Sequence, residues 1–141
     1  MRIYYLFVIK KELYEIYKNK ENTLYKTLNK LYLSTLEDYN YAYVVYHQLC
    51  NIINTSMLKL YFEEKDFTKI KDIYELKNYL TKEHTFVKIT PSYIKIKTNK
   101  NISELFKIFL YYNHNFFVCD FKEKDYFWLK DYRIIQKKIV S

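Results

Sequence analysis

None of the 141 residues is glycine, and that absence removes whole classes of fold and chemistry before any other residue is read. Phosphate-cradling loops, the dinucleotide fingerprint and the strained nucleophile elbow all need backbone positions that only glycine takes up easily. P-loop, Rossmann and α/β-hydrolase chemistry are therefore excluded. Helix ends that would ordinarily finish on glycine must use a substitute, and Asn113-His114-Asn115 supplies asparagine after one helical stretch.

The missing glycine belongs to a wider bias. Lys, Ile, Asn, Tyr and Phe dominate, Arg2 and Arg133 are the only arginines, and Ala42 is the only alanine. These are the preferences of a genome poor in G and C, which also account for much of the net charge of +8. A basic chain favours acidic partners such as nucleic acid, anionic lipid or an acidic protein face. Nucleic-acid readers, however, rely on arginine for bidentate base contacts.

The length suits one domain over 1–141, and a hydrophobic content of 50% supplies one core. Eighteen tyrosines each need a partner or an outlet to water for the hydroxyl, which places many of them at the core's rim. Cys50 and Cys119 form no disulfide framework, and each sits in an apolar run that suits a buried thiol, as in a cytoplasmic protein. The apolar run from Ile3 to Ile9 is too short to span a bilayer and has no small-residue cleavage site after it. Neither a signal peptide nor a membrane segment is expected.

That same run reads as a central strand covered on both faces. From Lys11 the period changes, and Leu13, Ile16, Tyr17, Leu24, Leu28 and Leu31 share one arc if a single helix continues to about Leu33. The polar stretch 18–22 equally allows two helices of independent phase, the second capped near Asn22. Ser34 or Thr35 followed by Glu37-Asp38 signals another helix, through Tyr41, Val44, Val45, Gln48, Leu49, Ile52 and Ile53, with Asn54-Thr55-Ser56 closing it. The segment 57–79 is helix-like: Phe67, Ile70, Ile73, Tyr74, Lys77 and Leu80 repeat at three and four, and Asp66 or Thr68 can cap.

Alternation follows. Val87 and Ile89, a Thr-Pro-Ser turn, then Ile94 and Ile96 against Lys95 and Lys97 make a half-exposed hairpin. Asn101 or Ser103 starts a helix through Leu105, Phe106, Phe109 and Tyr112, and a second hairpin pairs 116–119 with 126–129 around a polar turn. The expected fold is α+β, a mostly antiparallel sheet of about five strands packed against several helices in the order β-α-α-α-β-β-α-β-β.

Candidate chemistry is sparse. His47 and Cys50 sit at i, i+3 and form half a metal site at best, with no second half at matching spacing; the pair reads as a packed thiol and a surface histidine. Asp120 ends an apolar strand before a turn, where carboxylates cap turns more often than they catalyse. With His47, His84 and His114 scattered, no activated nucleophile is visible, so neither an enzyme nor a cofactor, metal or small-molecule substrate is expected. The tail 130–138 is a short basic amphipathic stretch that reads as a solvated terminus ahead of a contact with a membrane or an acidic groove.

Both ends of the chain carry a resemblance. Tyr4-Tyr5-Leu6-Phe7-Val8-Ile9-Lys10-Lys11-Glu12-Leu13-Tyr14, continuing to Tyr17 and Glu21, resembles the N-terminus of the SirA family. Phe116-Phe117-Val118-Cys119-Asp120-Phe121 and Tyr126-Phe127-Trp128-Leu129 resemble its closing hairpin. The resemblance implies a cytoplasmic inhibitor of replication initiation during sporulation that masks the N-terminal domain of the initiator DnaA, with no membrane or direct nucleic-acid contact. It places the two helix-borne contact positions at Leu13, where the family has an aromatic residue, and Tyr17. Tyr14 and Lys18 are their neighbours, and Gln48 stands at the rim. Leu13 and Tyr17 also lie on the arc read as core, and periodicity alone does not choose between core and partner. A rival from another class is a small nucleic-acid-binding protein that uses Lys88, Lys95, Lys97 and exposed tyrosines as a stacking and phosphate platform.

Overall fold

The structure is a computed structural model that describes residues 1–34, 39–65, 67–113 and 115–131. Its strands are β1 (Arg2–Val8), β2 (Thr68–Ile70), β3 (Ile73–Asn78), β4 (Glu83–Ile89), β5 (Ile94–Thr98), β6 (Phe116–Asp120) and β7 (Asp125–Trp128). Its helices are α1 (Lys11–Tyr17), α2 (Glu21–Ser34), α3 (Tyr39–Leu49), α4 (Thr55–Glu64) and α5 (Phe106–Tyr112), and a 3-10 turn at Leu129–Asp131 follows β7. The class is α+β as expected, but the sheet has seven strands rather than five, in the order β2-β3-β4-β5-β1-β6-β7. Every pairing is antiparallel.

β1 is an interior strand, paired with β5 and β6, as its unbroken apolar run predicts. Because side chains alternate across a strand, Tyr4, Leu6 and Val8 enter a core with Phe62, Phe106 and Phe109, on the side where α4 and α5 pack. Tyr5, Phe7 and Ile9 enter a second core with Leu24, Leu28 and Leu49, beneath α2 and α3. The sheet thus lies between two helical layers. Tyr4 is fully buried rather than at the rim, and its hydroxyl donates to the Asn101 carbonyl.

Four local expectations need correction. The spacing from Phe67 to Leu80 does not make a helix: α4 ends at Glu64, and 68–78 forms the β2–β3 hairpin, in which Ile70 pairs with Ile73 across Lys71-Asp72. Thr68 is therefore a strand residue rather than a cap, and Asp66 lies outside the described residues. Asn54 does not close α3; its Oδ1 accepts the Met57 N–H at 3.2 Å and caps α4. In α3 the stripe turned inward is Ala42, Val45 and Leu49, while Tyr41, Val44 and Gln48 are exposed. Asn113 ends α5 in extended backbone, φ −156°, not in the left-handed form that would replace glycine.

Other readings hold. The stretch 18–20 separates two helices, although α2 begins at Glu21, ahead of the suggested cap at Asn22. Asp120 is a turn-capping carboxylate: Oδ1 accepts the Glu123 N–H at 3.1 Å, and Oδ2 receives Arg2 Nε at 3.1 Å. Ser34 ends α2, whereas the Thr35 and Glu37-Asp38 signal, His114 and the tail from 132 onward lie outside the described residues. Left-handed backbone occurs at Lys71, Lys82 and Lys124, so among the described residues lysine stands at every turn position where glycine is usual.

Candidate partner-binding face

The end of β1 sets the position of α1. Ile9 N–H donates to the Asn115 carbonyl at 3.0 Å, Lys10 N–H to Leu49 at 3.1 Å, and Asn51 N–H to Val8 at 2.8 Å. The last two bonds stitch the approach to α1 to the end of α3, where Gln48 is exposed on the last turn. Lys10, the N-cap, offers no side-chain acceptor. With seven residues, α1 is too short to persist by its own hydrogen bonds and depends on what it packs against.

That packing is shallow. α1 has no fully buried residue; Leu13, Tyr14 and Tyr17 are half-buried against the second core. Tyr14 carries the firmest contact, edge-on to Trp128 with ring centroids 4.8 Å apart, and Lys130 Nζ stands 3.3 Å from the Tyr14 ring centroid. Lys18 is exposed and pairs with Glu15 at 2.8 Å. Their hydrogen bond holds Glu15 below its ordinary carboxylate range and Lys18 above its ordinary range. A pair so open to solvent contributes little to stability.

Ile16 was assigned to the buried arc and is instead 53% exposed. At 100° per residue it lies about 60° around the helix from Leu13, on the side away from Tyr14. The break at 18–20 frees α1 from the phase of α2, so the shared arc did not apply to it. The outer margin of α1 thus shows Ile16 and the open part of Leu13 and Tyr17, flanked by Glu15 and Lys18, an apolar centre with a charged rim.

The candidate ligands His47 and Cys50 do not come together as a site. Cys50 is buried and bridges to Ile9, and burial pushes its thiol up to about 12. His47 packs against the rings of Tyr43 and Tyr46 instead of sharing a ligand set. Among the described residues no group of three His, Cys, Asp or Glu side chains could hold a metal ion, and no helix is long and apolar enough to cross a membrane. The sheet does bring Lys88, Lys95 and Lys97 together, on β4 and β5, which β1 and β6 separate from α1's contact with β7: Lys88 pairs with Lys95, and Lys97 with Phe86.

The family described as sporulation inhibitor of replication protein SirA matches residues 2–133, which takes in both helical layers and the whole sheet. No curated protein matches the chain.

Proposed function

Because the chain belongs to the SirA family of sporulation inhibitors of replication, we propose that it binds the N-terminal domain of the initiator DnaA and masks it. The contact runs through Leu13, Tyr17 and Ile16 on α1, with Tyr14 and Lys18 beside them and Gln48 at the rim. The family is one of regulators, and occlusion needs no cofactor, metal or substrate. It needs a rigid patch with a few anchors that exclude water when covered. The protein then acts in the cytoplasm, as one unit over 1–141.

The observation that carries this reading is the half-burial of Leu13 and Tyr17 beside exposed Ile16. A purely structural helix of this length would seal its apolar face, whereas α1 keeps a margin of it open. Backing by the second core and the stitches to α3 hold that margin rigid, which lowers the entropy lost on binding.

Calorimetric titration against the isolated N-terminal domain of DnaA from the same organism tests the proposal. Saturable binding is expected, weakened by about 2 kcal/mol or more in Tyr17→Ala. Ile16→Glu, at a site too exposed to disturb the fold, should weaken it comparably with an unchanged circular dichroism spectrum. Absence of binding by the parent, or full binding by both variants, overturns the proposal.

A further inference from the structure

The helical layer formed by α1–α3 covers only half of its side of the sheet. It seals Phe7, Phe117, Cys119 and Trp128 on β1, β6 and β7. On the same side of β3, β4 and β5, two cross-strand rows are uncapped by any of the described helices. Ile73 pairs with Lys88 and Lys88 with Lys95; Glu75 pairs with Phe86 and Phe86 with Lys97. β1 extends these rows with Tyr5 and Ile3. Ile73, Phe86 and the three lysines line a shallow basin of about 370 Å³.

The charge on this basin is one-sided. Lys88 and Lys95 stand directly opposite each other, an arrangement of like charges that destabilises a sheet, and Lys97 is two residues, about 6.8 Å, along the strand from Lys95. The carboxylate on these rows, Glu75, is already engaged by Lys77 at 3.4 Å and faces His84 Nε2 at 3.6 Å. Among the described residues none of the three lysines has a carboxylate within 4.0 Å. Lys95 Nζ lies instead 5.8 Å from the Tyr5 ring, so the basin borders on an aromatic wall.

We propose that this open sheet face binds single-stranded nucleic acid, with Lys88, Lys95 and Lys97 on the phosphates and Phe86 as the stacking surface for an unpaired base. Lysine is depleted from the centres of protein–protein interfaces, whereas a cationic groove with an aromatic floor is the usual composition of a single-strand platform. Without arginine on the face, binding carries no base code. The basin lies on β3–β5, on the same side of the sheet as α1 but separated from β7 by β1 and β6, and none of its lining residues belongs to the initiator-binding proposal, so the two can be tested independently.

Fluorescence anisotropy with a labelled oligothymidylate of about 15 nucleotides, a length within the usual site sizes, tests the proposal on the full chain. Saturable binding is expected, with log K falling against log salt at a slope of about −2, as three phosphate contacts on a single strand predict. The combined Lys88→Ala, Lys95→Ala, Lys97→Ala variant should lose about tenfold or more and flatten that slope. Phe86→Leu should lose about fivefold with the slope kept. The control Lys20→Ala, Lys26→Ala, Lys30→Ala, on exposed positions around α2, should bind as the parent does, as should Tyr17→Ala. Parental affinity in the face variant, equal loss in the control, equal affinity for a duplex of the same length, or displacement of the oligonucleotide by a polyglutamate peptide at equal charge would each overturn it. The last two results would mean a surface for any polyanion or for an acidic protein.

Discussion

Lys130 holds its ammonium 3.3 Å from the centroid of the Tyr14 ring, on a tyrosine whose edge also meets Trp128. Tyr14 is thereby fastened to the closing hairpin, whereas Tyr17, three positions on, is partly buried against the second core with no ring partner among the described residues. The two tyrosines should separate by mutation. Tyr14→Ala removes the aromatic pair and the cation–π contact and should lower stability by about 2 kcal/mol. Tyr17→Ala should lower it by about 1 kcal/mol or less while weakening initiator binding. Urea melts beside binding isotherms check this; equal stability losses would mean that both tyrosines serve the fold.

Three lysines hold left-handed backbone, with φ of 56° at Lys71, 60° at Lys82 and 55° at Lys124. A side chain with a Cβ is strained there by about 1–2 kcal/mol, and the unfolded-state entropy of glycine returns part of that. Lys82→Gly and Lys124→Gly should each stabilise the protein by about 0.5–1 kcal/mol. Lys122→Gly, in the same loop as Lys124 without a positive φ, should destabilise it. Thermal melts of the three variants decide the matter, and a loss at Lys82 or Lys124 would show that those turns are not left-handed in solution. A glycine-free chain thus carries removable strain, consistent with a composition set by codon usage rather than by stability.

Glu83 is 4% exposed, and among the described residues its carboxylate has no cation within 4.0 Å. Two hydroxyl chains converge on it: Ser103 Oγ donates to Oε2 at 2.6 Å, as does Thr85 Oγ at 2.6 Å, and Thr85 in turn lies 2.7 Å from Thr98 Oγ. Since the Thr85 proton points to Glu83, Thr98 is the donor in that last pair. The Glu104 N–H completes the set on Oε1 at 3.1 Å. Glu83 therefore latches β4 to the turn ahead of α5. Glu83→Ala leaves several buried donors unmet and should cost about 3 kcal/mol. Glu104→Gln, on the half-buried side chain next to the latch, should change stability by less than about 1 kcal/mol. A mild Glu83→Ala phenotype by urea denaturation would mean that water replaces the carboxylate.

What could be read from residue order follows from how unambiguous each local pattern was. β1 and the 116–129 hairpin were legible because aromatic and β-branched runs bounded by polar turns have one solution. The β2–β3 hairpin was not: Phe67, Ile70, Ile73, Tyr74 and Lys77 imitate a helical spacing, and the turn that refutes it, Lys71-Asp72, has neither Gly nor Asn to announce it. Leu13, Tyr14, Tyr17, Lys18 and Gln48 could be named through the family resemblance, but Ile16 could not, because its exposure depends on where α1 breaks from α2. Glu83 was illegible for a different reason. A carboxylate flanked by Lys82 and His84 looks like loop, and only the sheet reveals the hydroxyls that converge on it.

Both cysteines are free and buried, and burial pushes the Cys50 thiol up to about 12, with Lys10 opposing weakly; burial and then Cys50 push Cys119 up as well. Neither thiol should react with iodoacetamide at pH 8 in the folded protein, and both should react in denaturant. The same shift makes stability depend on pH. Below about pH 9, the ordinary value for Cys50, its thiol is protonated in both states and contributes no slope. Between pH 9 and 12 the unfolded chain releases that proton while the folded chain keeps it, so each rise in pH favours unfolding. Tyr4 and Tyr46, raised by burial, add to the loss in the same direction. Cys50→Ala removes one group from this linkage and should flatten the fall by up to about 1.4 kcal/mol per pH unit in that window. Denaturation midpoints measured from pH 8 to 11 on parent and variant supply the comparison; parallel curves would mean that Cys50 is not held as a thiol by burial, and that the end of α3 opens more readily than its stitches to β1 imply.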